Sequence, residues 1–190
     1  MNMMKLPDFT DDTLFAYGVD KENRRIFLFD DVDNMPIGLV IKALYMMENS
    51  GPKKPIELLV GSYGGCEYDM FALYDVIQIL RCPVYTVAIG KCMSAAPLLV
   101  ACGKKKYRCA TENTCFMVHQ GHGDIGGKVD EVRNDLEHWK ELESRWCHLM
   151  EKHTKKPATF WKSQCEKVGD KYFTAEQAQE WGLIDYVLSK

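Results

Sequence analysis

The chain has 190 residues, of which 46% are hydrophobic and 27% charged, and its formal net charge is −3. This profile is typical of a soluble globular domain and excludes a disordered chain. The negative balance argues against a nucleic-acid partner, because such domains usually carry a basic stripe. No apolar run approaches the length of about 18 residues that crosses a bilayer, so we expect no membrane association. The first residues also lack the pattern of a secretory signal, which favours a cytoplasmic location.

Strand and helix patterns alternate in the first half of the chain. Apolar runs rich in branched and aromatic residues predict strands at 25–29, 56–60 and 84–89. Helical periodicity predicts helices at 36–47, 66–80 and 94–101. Turn segments, which follow neither the strand nor the helix periodicity, fall at 51–55, 61–65 and 90–93. This alternation with short joints predicts parallel βαβ units and an α/β fold.

The second half predicts short strands around 107–109 and 115–119, then a glycine-rich segment at 121–127. A helix follows over 128–153, with apolar residues at every third or fourth position. It either lies over the core or projects and packs on another subunit, and Trp139 and Trp146 favour the second interpretation. Thr174 begins a capping box for a last helix, which Gly182 ends, and 183–188 predicts a closing strand.

Ser94 is the candidate nucleophile. It follows an apolar strand and stands at the start of a helix, where α/β proteins keep their ligands and where backbone N–H groups can face an oxyanion. Alone, such a serine is more often a simple helix N-cap. The surrounding residues do not form the G-x-S-x-G turn of α/β-hydrolases.

His119 ends a strand on the same predicted edge of the sheet and is the candidate base. Gly64 and Gly65 let the backbone approach a ligand and could form half of an oxyanion hole. They do not form a phosphate-binding loop, because the lysine and hydroxyl residue of that motif are missing. Asp170 follows Gly169 before an aromatic pair and is one of several acids that could orient a histidine.

Three alternatives to this nucleophile and base remain open. Cys92 lies two residues before Ser94 and is a rival nucleophile. His122 is close to His119 and is a second candidate base. Lys91 could form a Ser-Lys dyad with Ser94. The eight cysteines are scattered, with no C-x-x-C pair and no His/Cys cluster, so we expect free thiols and neither a metal nor a cofactor.

Together these residues resemble the proteolytic subunit of the Clp protease, over about 25–188. The family's N-S-P-G-G loop, G-x-A-A-S-M-G segment, M-I-H-Q-P strand end, D-R-F-L-S-A-x-E-A turn and closing Y-G-L-V-D have counterparts here. They are Gly61-Ser62-Tyr63-Gly64-Gly65, Gly90-Lys91-Cys92-Met93-Ser94-Ala95-Ala96, Met117-Val118-His119-Gln120-Gly121, Asp170-Lys171-Tyr172-Phe173-Thr174-Ala175-Glu176-Gln177-Ala178 and Trp181-Gly182-Leu183-Ile184-Asp185. Five such segments in the family's order are a specific signal.

The resemblance implies a serine endopeptidase with Ser94 as nucleophile, His119 as base and Asp170 as the acid that orients it. It implies an oxyanion hole at the backbone of Gly65 and Ala95. Further residues would lie beside a bound peptide: Gly64, Gly121, Gly123, Ile125 and Gly126.

The resemblance also implies the family's fold, which is that of the Clp protease and crotonase superfamily, with repeated βαβ units and a protruding long handle helix. One domain over 1–190 would consist of a head (about 21–120 and 155–190) and a handle region (about 121–154). Subunits of the family form seven-membered rings, stacked in pairs around a chamber. An AAA+ unfoldase feeds peptides or unfolded proteins into it.

Several positions depart from the family. Its loop proline is Tyr63 here, and the proline after His-Gln is Gly121. Tyrosines that help an unfoldase to dock fall at Glu57 and Leu59, which predicts altered docking. The chain is then either a divergent subunit with unusual partners or a phage-encoded relative.

Two other functions remain as alternatives. One is an acyl-CoA enzyme of the crotonase type, which shares the architecture and the paired oxyanion N–H groups. The other is a non-catalytic subunit that joins an active partner in a mixed ring, although such a subunit would not need Ser94, His119 and Asp170 together.

Overall fold

The computed structural model of the chain describes residues 17–166 and 169–189. The strands in these residues are β1 (Val19–Asp20), β2 (Arg25–Leu28), β3 (Ile56–Ser62), β4 (Val84–Met93), β5 (Arg108–Thr111), β6 (Cys115–Val118), β7 (Lys171–Phe173) and β8 (Tyr186–Leu188). The helices are α1 (Asn34–Ser50), α2 (Glu67–Ile79), α3 (Ala96–Ala101), α4 (Val129–His153), α5 (Ala158–Cys165) and α6 (Ala175–Glu180). None of these helices combines the length and the apolar character that crossing a bilayer would need.

The strands form one mixed sheet in the order β1-β2-β3-β4-β5-β8, with β6 beside the end of β4 and β7 beside β6. Strands β2, β3, β4, β5 and β8 run parallel to one another and β6 is parallel to β4, whereas β1 is antiparallel to β2 and β7 is antiparallel to β6. The predicted α/β fold with parallel βαβ units is confirmed. One face of β3 lies in the core: Ile56, Leu58 and Val60, at alternate positions, are fully buried, whereas Glu57 and Leu59 on the other face are half-buried.

A correction concerns residues 90–93, which the sequence predicts as a turn. They belong to β4, which continues to Met93. Val60 pairs with Ala88 and Ser62 pairs with Cys92, so β4 has two more residues than β3 in this interval. Gly90, with φ +70°, lies in this bulge, so the glycine marks an irregular strand and not the end of one. Beyond the bulge, β4 leaves β5 and pairs with β6.

The ends of other elements also differ from the sequence predictions. Strand β3 extends to Ser62, into the predicted loop, and β5 runs over Arg108–Thr111. The closing strand β8 begins only at Tyr186. The sequence prediction missed α5, which begins after Pro157. The capping box of Thr174 and Gln177 at α6 is present as predicted.

Helix α4 has two different halves. Its second half packs on the core through Leu142, Cys147 and Met150, which are buried. Its first half stands away from the core: Val129 and Leu136 are 75% and 44% exposed. This is the protruding long helix that the sequence predicts.

The two tryptophans of α4, which the sequence analysis connects with a possible subunit contact, also have partners within the chain. The Trp146 ring packs edge-on against Trp161 of α5, with ring centroids 6.0 Å apart. The Trp139 ring lies over the backbone of Gly123, where an added Cβ atom would come within 2.7 Å of it. Both rings make contacts within the chain while staying partly exposed, and Val129 and Leu136 are more exposed apolar side chains of this helix.

Candidate active site

Ser94 lies directly after the end of β4, in a conformation that side chains seldom adopt. Its φ is +56°, in the left-handed region, and its N–H donates to the carbonyl of Met117 over 2.9 Å. Ala95, and not Ser94, occupies the N-cap position of α3, so the N-cap interpretation of Ser94 is wrong. A strained hydroxyl residue at the carboxyl end of a central strand is typical of a functional site.

His119 follows the last residue of β6 and contacts Ser94 directly. Its Nε2 lies 2.8 Å from Ser94 Oγ, a hydrogen-bond distance for a hydroxyl and an imidazole. The contact arises from the sheet: Met93 pairs with Met117 in parallel register, so the residues after these two strands emerge at the same edge. The structure therefore brings together the first two predicted catalytic residues.

Asp170 precedes β7 and lies on the other side of the imidazole. Its Oδ1 is 3.5 Å from His119 Nδ1, which is long for a hydrogen bond but close enough for an electrostatic contact. Its Oδ2 accepts a hydrogen bond of 3.0 Å from the Tyr172 hydroxyl. The Asp170 side chain is 41% exposed, so this carboxylate lies at the rim of the cleft.

The surroundings of His119 favour its neutral form. Partial burial lowers the pKa of His119 below its ordinary value, the charge of Asp170 acts to raise it, and nearby His122 lowers it further. A neutral imidazole that carries its proton on Nδ1, facing Asp170, can accept the Ser94 hydroxyl proton on Nε2. The arrangement can therefore activate a serine at neutral pH.

The glycine loop after β3 packs against Ser94. A Cβ atom at Gly64 would lie 2.6 Å from both the Met93 carbonyl oxygen and the Ser94 Cβ. The N–H groups of Cys66 and Ser94 are already bonded to backbone carbonyls. Among the backbone bonds of the described residues, none uses the N–H of Gly65 or Ala95. These two donors, which belong to residues next to Ser94 and to the Gly64 loop that packs against it, remain available for an oxyanion.

A cleft of about 1390 Å³ opens beside these residues. Gly64, Gly65, Ala95 and Gly121 line it, as expected for an oxyanion hole and a peptide-binding edge. The other predicted peptide-binding residues, Gly123, Ile125 and Gly126, are not among its lining residues.

The three alternative catalytic groups are less well placed. Cys92 is fully buried, and burial raises the pKa of its thiol well above the ordinary value, which disfavours a nucleophilic thiolate. Lys91 holds its Nζ 3.7 Å from the centre of the Tyr63 ring, in a cation–π contact. His119, and not His122, makes the hydrogen-bond contact with Ser94, and the His122 ring lies 5.3 Å from the His119 ring.

Glu67 and Tyr68, at the start of α2, are among the residues of the cleft that sequence reasoning missed. The Tyr68 hydroxyl lies 2.6 Å from His138 Nε2, so this pair connects α2 with α4 at the cleft. One signal could have indicated both residues. They directly follow the Gly64-Gly65 loop, and a helix that begins beside a site presents its first residues to it.

A comparison with protein-family models agrees with the motifs and the geometry. The model of the Clp protease family matches residues 14–190, which is nearly the whole chain.

Proposed function

This chain belongs to the Clp protease family, and we propose that it is a serine endopeptidase with a Ser94-His119-Asp170 triad. One observation carries the proposal: Ser94 Oγ lies 2.8 Å from His119 Nε2, with Asp170 on the opposite side of the imidazole. A nucleophile, a base and an orienting acid that contact one another in this spatial order form the arrangement by which a serine hydrolyses a peptide bond.

In the proposed reaction, Ser94 Oγ attacks the scissile carbonyl while His119 Nε2 takes the hydroxyl proton. The carbonyl oxygen becomes an oxyanion, which the N–H groups of Gly65 and Ala95 stabilise. One such donor contributes about 3–4 kcal/mol in comparable hydrolases. His119 then donates the proton to the leaving amine, and water releases the acyl group by the same steps in reverse order.

Asp170 supports this cycle electrostatically. It favours the tautomer with a proton on Nδ1 and stabilises the imidazolium that forms in each step. The long contact of 3.5 Å and its partial exposure make it the least rigidly held member of the triad. We expect contacts between subunits to tighten this edge of the site.

We further propose that the chain acts as a ring-forming subunit whose substrates are peptides or unfolded proteins. The first half of α4 supports such an assembly because it projects from the core and presents Val129 and Leu136, one helical repeat of seven residues apart, on one face that a second subunit could cover. Glu57 and Leu59 at the positions of the family's docking tyrosines favour altered dependence on an AAA+ unfoldase.

Labelling with a fluorophosphonate tests the proposed nucleophile. Intact mass and peptide mapping should show one adduct, on Ser94, which is absent in Ser94→Ala and strongly reduced in His119→Ala. The Cys92→Ala variant is the control and should label as the wild type does. An adduct on another residue, or no adduct in an assembled protein that also leaves peptides uncut, would contradict the proposal.

A further inference from the structure

Glu67 is the first residue of α2 and faces the cleft beside Ser94. A Cβ atom added at Gly121 would lie 2.9 Å from Glu67 Oε1, so the carboxylate lies directly against the Gly121 backbone. Gly121 comes two residues after His119, and Glu67 two residues after Gly65. The carboxylate is therefore placed between the two backbone edges that would bind a peptide.

Gly121 provides the space that this carboxylate occupies. Its φ lies outside the left-handed region, so the backbone does not require glycine at this position. A side chain there would make the Glu67 carboxylate shift from its position, because the neighbour that a Cβ atom would meet first is Oε1 of Glu67. Gly121 and Glu67 therefore fit together sterically, because the missing side chain of the glycine leaves room for the carboxylate.

The Glu67 carboxylate is partly removed from water without gaining a donor. Within the described residues it takes part in neither a hydrogen bond nor an ion pair. Burial raises the pKa of Glu67, the charge of Glu143 raises it further, and His122 and His138 act in the opposite direction. His138 is itself bonded to Tyr68, so it does not serve as the partner of Glu67. A half-buried carboxylate in this state gains from a cation that enters the cleft.

The overall charge of the cleft also favours a cationic group. Its described lining has six carboxylate side chains and two lysines. Lys162 lies 3.6 Å from the carboxylate of Glu166, so these two opposite charges compensate each other, and five carboxylates and one lysine remain. A concave wall with this excess of carboxylates concentrates cationic groups and repels anionic ones.

From this geometry we infer that Glu67 is a specificity-determining residue, which selects a lysine or arginine side chain at one position of the peptide near the scissile bond. The inference rests on the proposed function, since it assigns a substrate class to that same site. An acidic or neutral residue at the same substrate position would leave the Glu67 carboxylate unpaired, and the peptide would be cleaved more slowly.

A set of internally quenched peptides tests this inference. One neutral scaffold carries lysine, glutamine, norleucine or glutamate at a single position, and the set covers three residues on each side of the cleaved bond. At one position, kcat/KM of the wild type should be about tenfold higher for lysine than for glutamine. In Glu67→Gln the ratio should fall to about threefold or less, and Glu67→Lys should favour glutamate there. Glu151→Gln is the matched control, because Glu151 is exposed on α4 outside the cleft, and it should keep the wild-type ratio.

A wild-type enzyme without a preference for lysine at any position would overturn the inference, as would a preference that persists in Glu67→Gln. If no peptide is cut and Ser94 is not labelled, the proposed function fails, but the specificity can still be measured. Fluorescence anisotropy with Ser94→Ala then compares the lysine and glutamine peptides. Tighter binding of the lysine peptide that depends on Glu67 supports the inference, and equal Kd values reject it.

Discussion

Asp170 lies opposite His119 across the antiparallel pair of β6 and β7, with 3.5 Å between Oδ1 and Nδ1. Val118 pairs with Lys171, so His119 and Asp170 are the next two residues in the same register. On the other side of β6, Met93 pairs with Met117, which places Ser94 beside the same strand end. The triad geometry thus follows from two pairings of one short strand.

Asp170→Asn should reduce kcat of peptide hydrolysis by about a hundredfold or more. The amide can no longer stabilise the His119 imidazolium, and it can also bind the tautomer that lacks a proton on Nδ1. Steady-state hydrolysis of a short peptide by the assembled protein measures the loss.

Tyr172→Phe provides the comparison for Asp170→Asn. It removes only the 3.0 Å hydrogen bond to Asp170 Oδ2 and leaves the charge in place. We expect a loss of about fivefold or less, the value of one ordinary hydrogen bond. A larger loss in Tyr172→Phe than in Asp170→Asn would mean that the hydroxyl, and not the carboxylate, controls His119.

The pH dependence of kcat/KM should reflect the lowered pKa of His119. The base must be neutral, so activity should rise with pH and level off once His119 has lost its proton, with a midpoint below the ordinary value of 6.5. Asp170 acts to raise this pKa, so Asp170→Asn should move the midpoint to lower pH, and His122→Ala should move it to higher pH. Shifts in the opposite directions would contradict the electrostatic assignment.

Gly64→Ala should impair catalysis through the backbone. Gly64 has φ +97°, and its added Cβ atom would lie 2.6 Å from the Met93 carbonyl oxygen. The loop must then move and take the Gly65 N–H away from Ser94, with an expected loss of about a hundredfold in kcat.

Gly38→Ala is the matched control for Gly64→Ala. Gly38 lies inside α1, and an added Cβ atom there has no neighbour within 4 Å. Alanine at this position should leave activity unchanged and stabilise the fold by about 0.5–1 kcal/mol, measured by chemical denaturation. Equal activities of the two variants would show that the Gly64 loop takes no part in catalysis.

Val129→Glu with Leu136→Glu should reduce the size of the assembly. Both side chains are exposed on the first half of α4, and a buried, unpaired carboxylate would oppose their contact with another subunit. Light scattering after size-exclusion chromatography should give a lower mass. Ile79→Glu makes the same change at a side chain that is 69% exposed on α2, and it should keep the wild-type mass. If both proteins have the wild-type mass, α4 does not join subunits.

Much of the fold was readable from the sequence because its central strands and helices are strongly periodic. The bulge at Gly90 could not be predicted, because a glycine after an apolar strand usually marks the end of that strand, whereas Gly90 only bends β4. The roles of Glu67 and Trp146 depend on contacts with Gly121 and Trp161, which are far away in sequence. Local patterns carry no information on such pairs, so they became visible only in three dimensions.

Asp185→Asn should destabilise the fold by about 3 kcal/mol at neutral pH. Arg108 is buried, donates to both Asp185 oxygens at 2.8–3.1 Å, and would keep a poorly compensated charge in the variant.

Burial acts to raise the pKa of Asp185, but the hydrogen bonds and charge of Arg108 outweigh it, so this pKa lies below the ordinary value of 3.8. The carboxylate therefore stabilises the fold above about that pH, and its contribution is lost as the pH falls further, through the folded-state value. Denaturant unfolding should show a difference in the free energy of unfolding between wild type and Asp185→Asn that is full at pH 7 and decreases only below pH 3.8.

Glu57→Gln is the control for Asp185→Asn. The ion pair of Glu57 with Arg25 is also short, at 2.6 Å, but it is exposed, so its loss should cost less than about 1 kcal/mol. Equal costs for the two variants would show that burial of the Arg108 pair has no part in its strength.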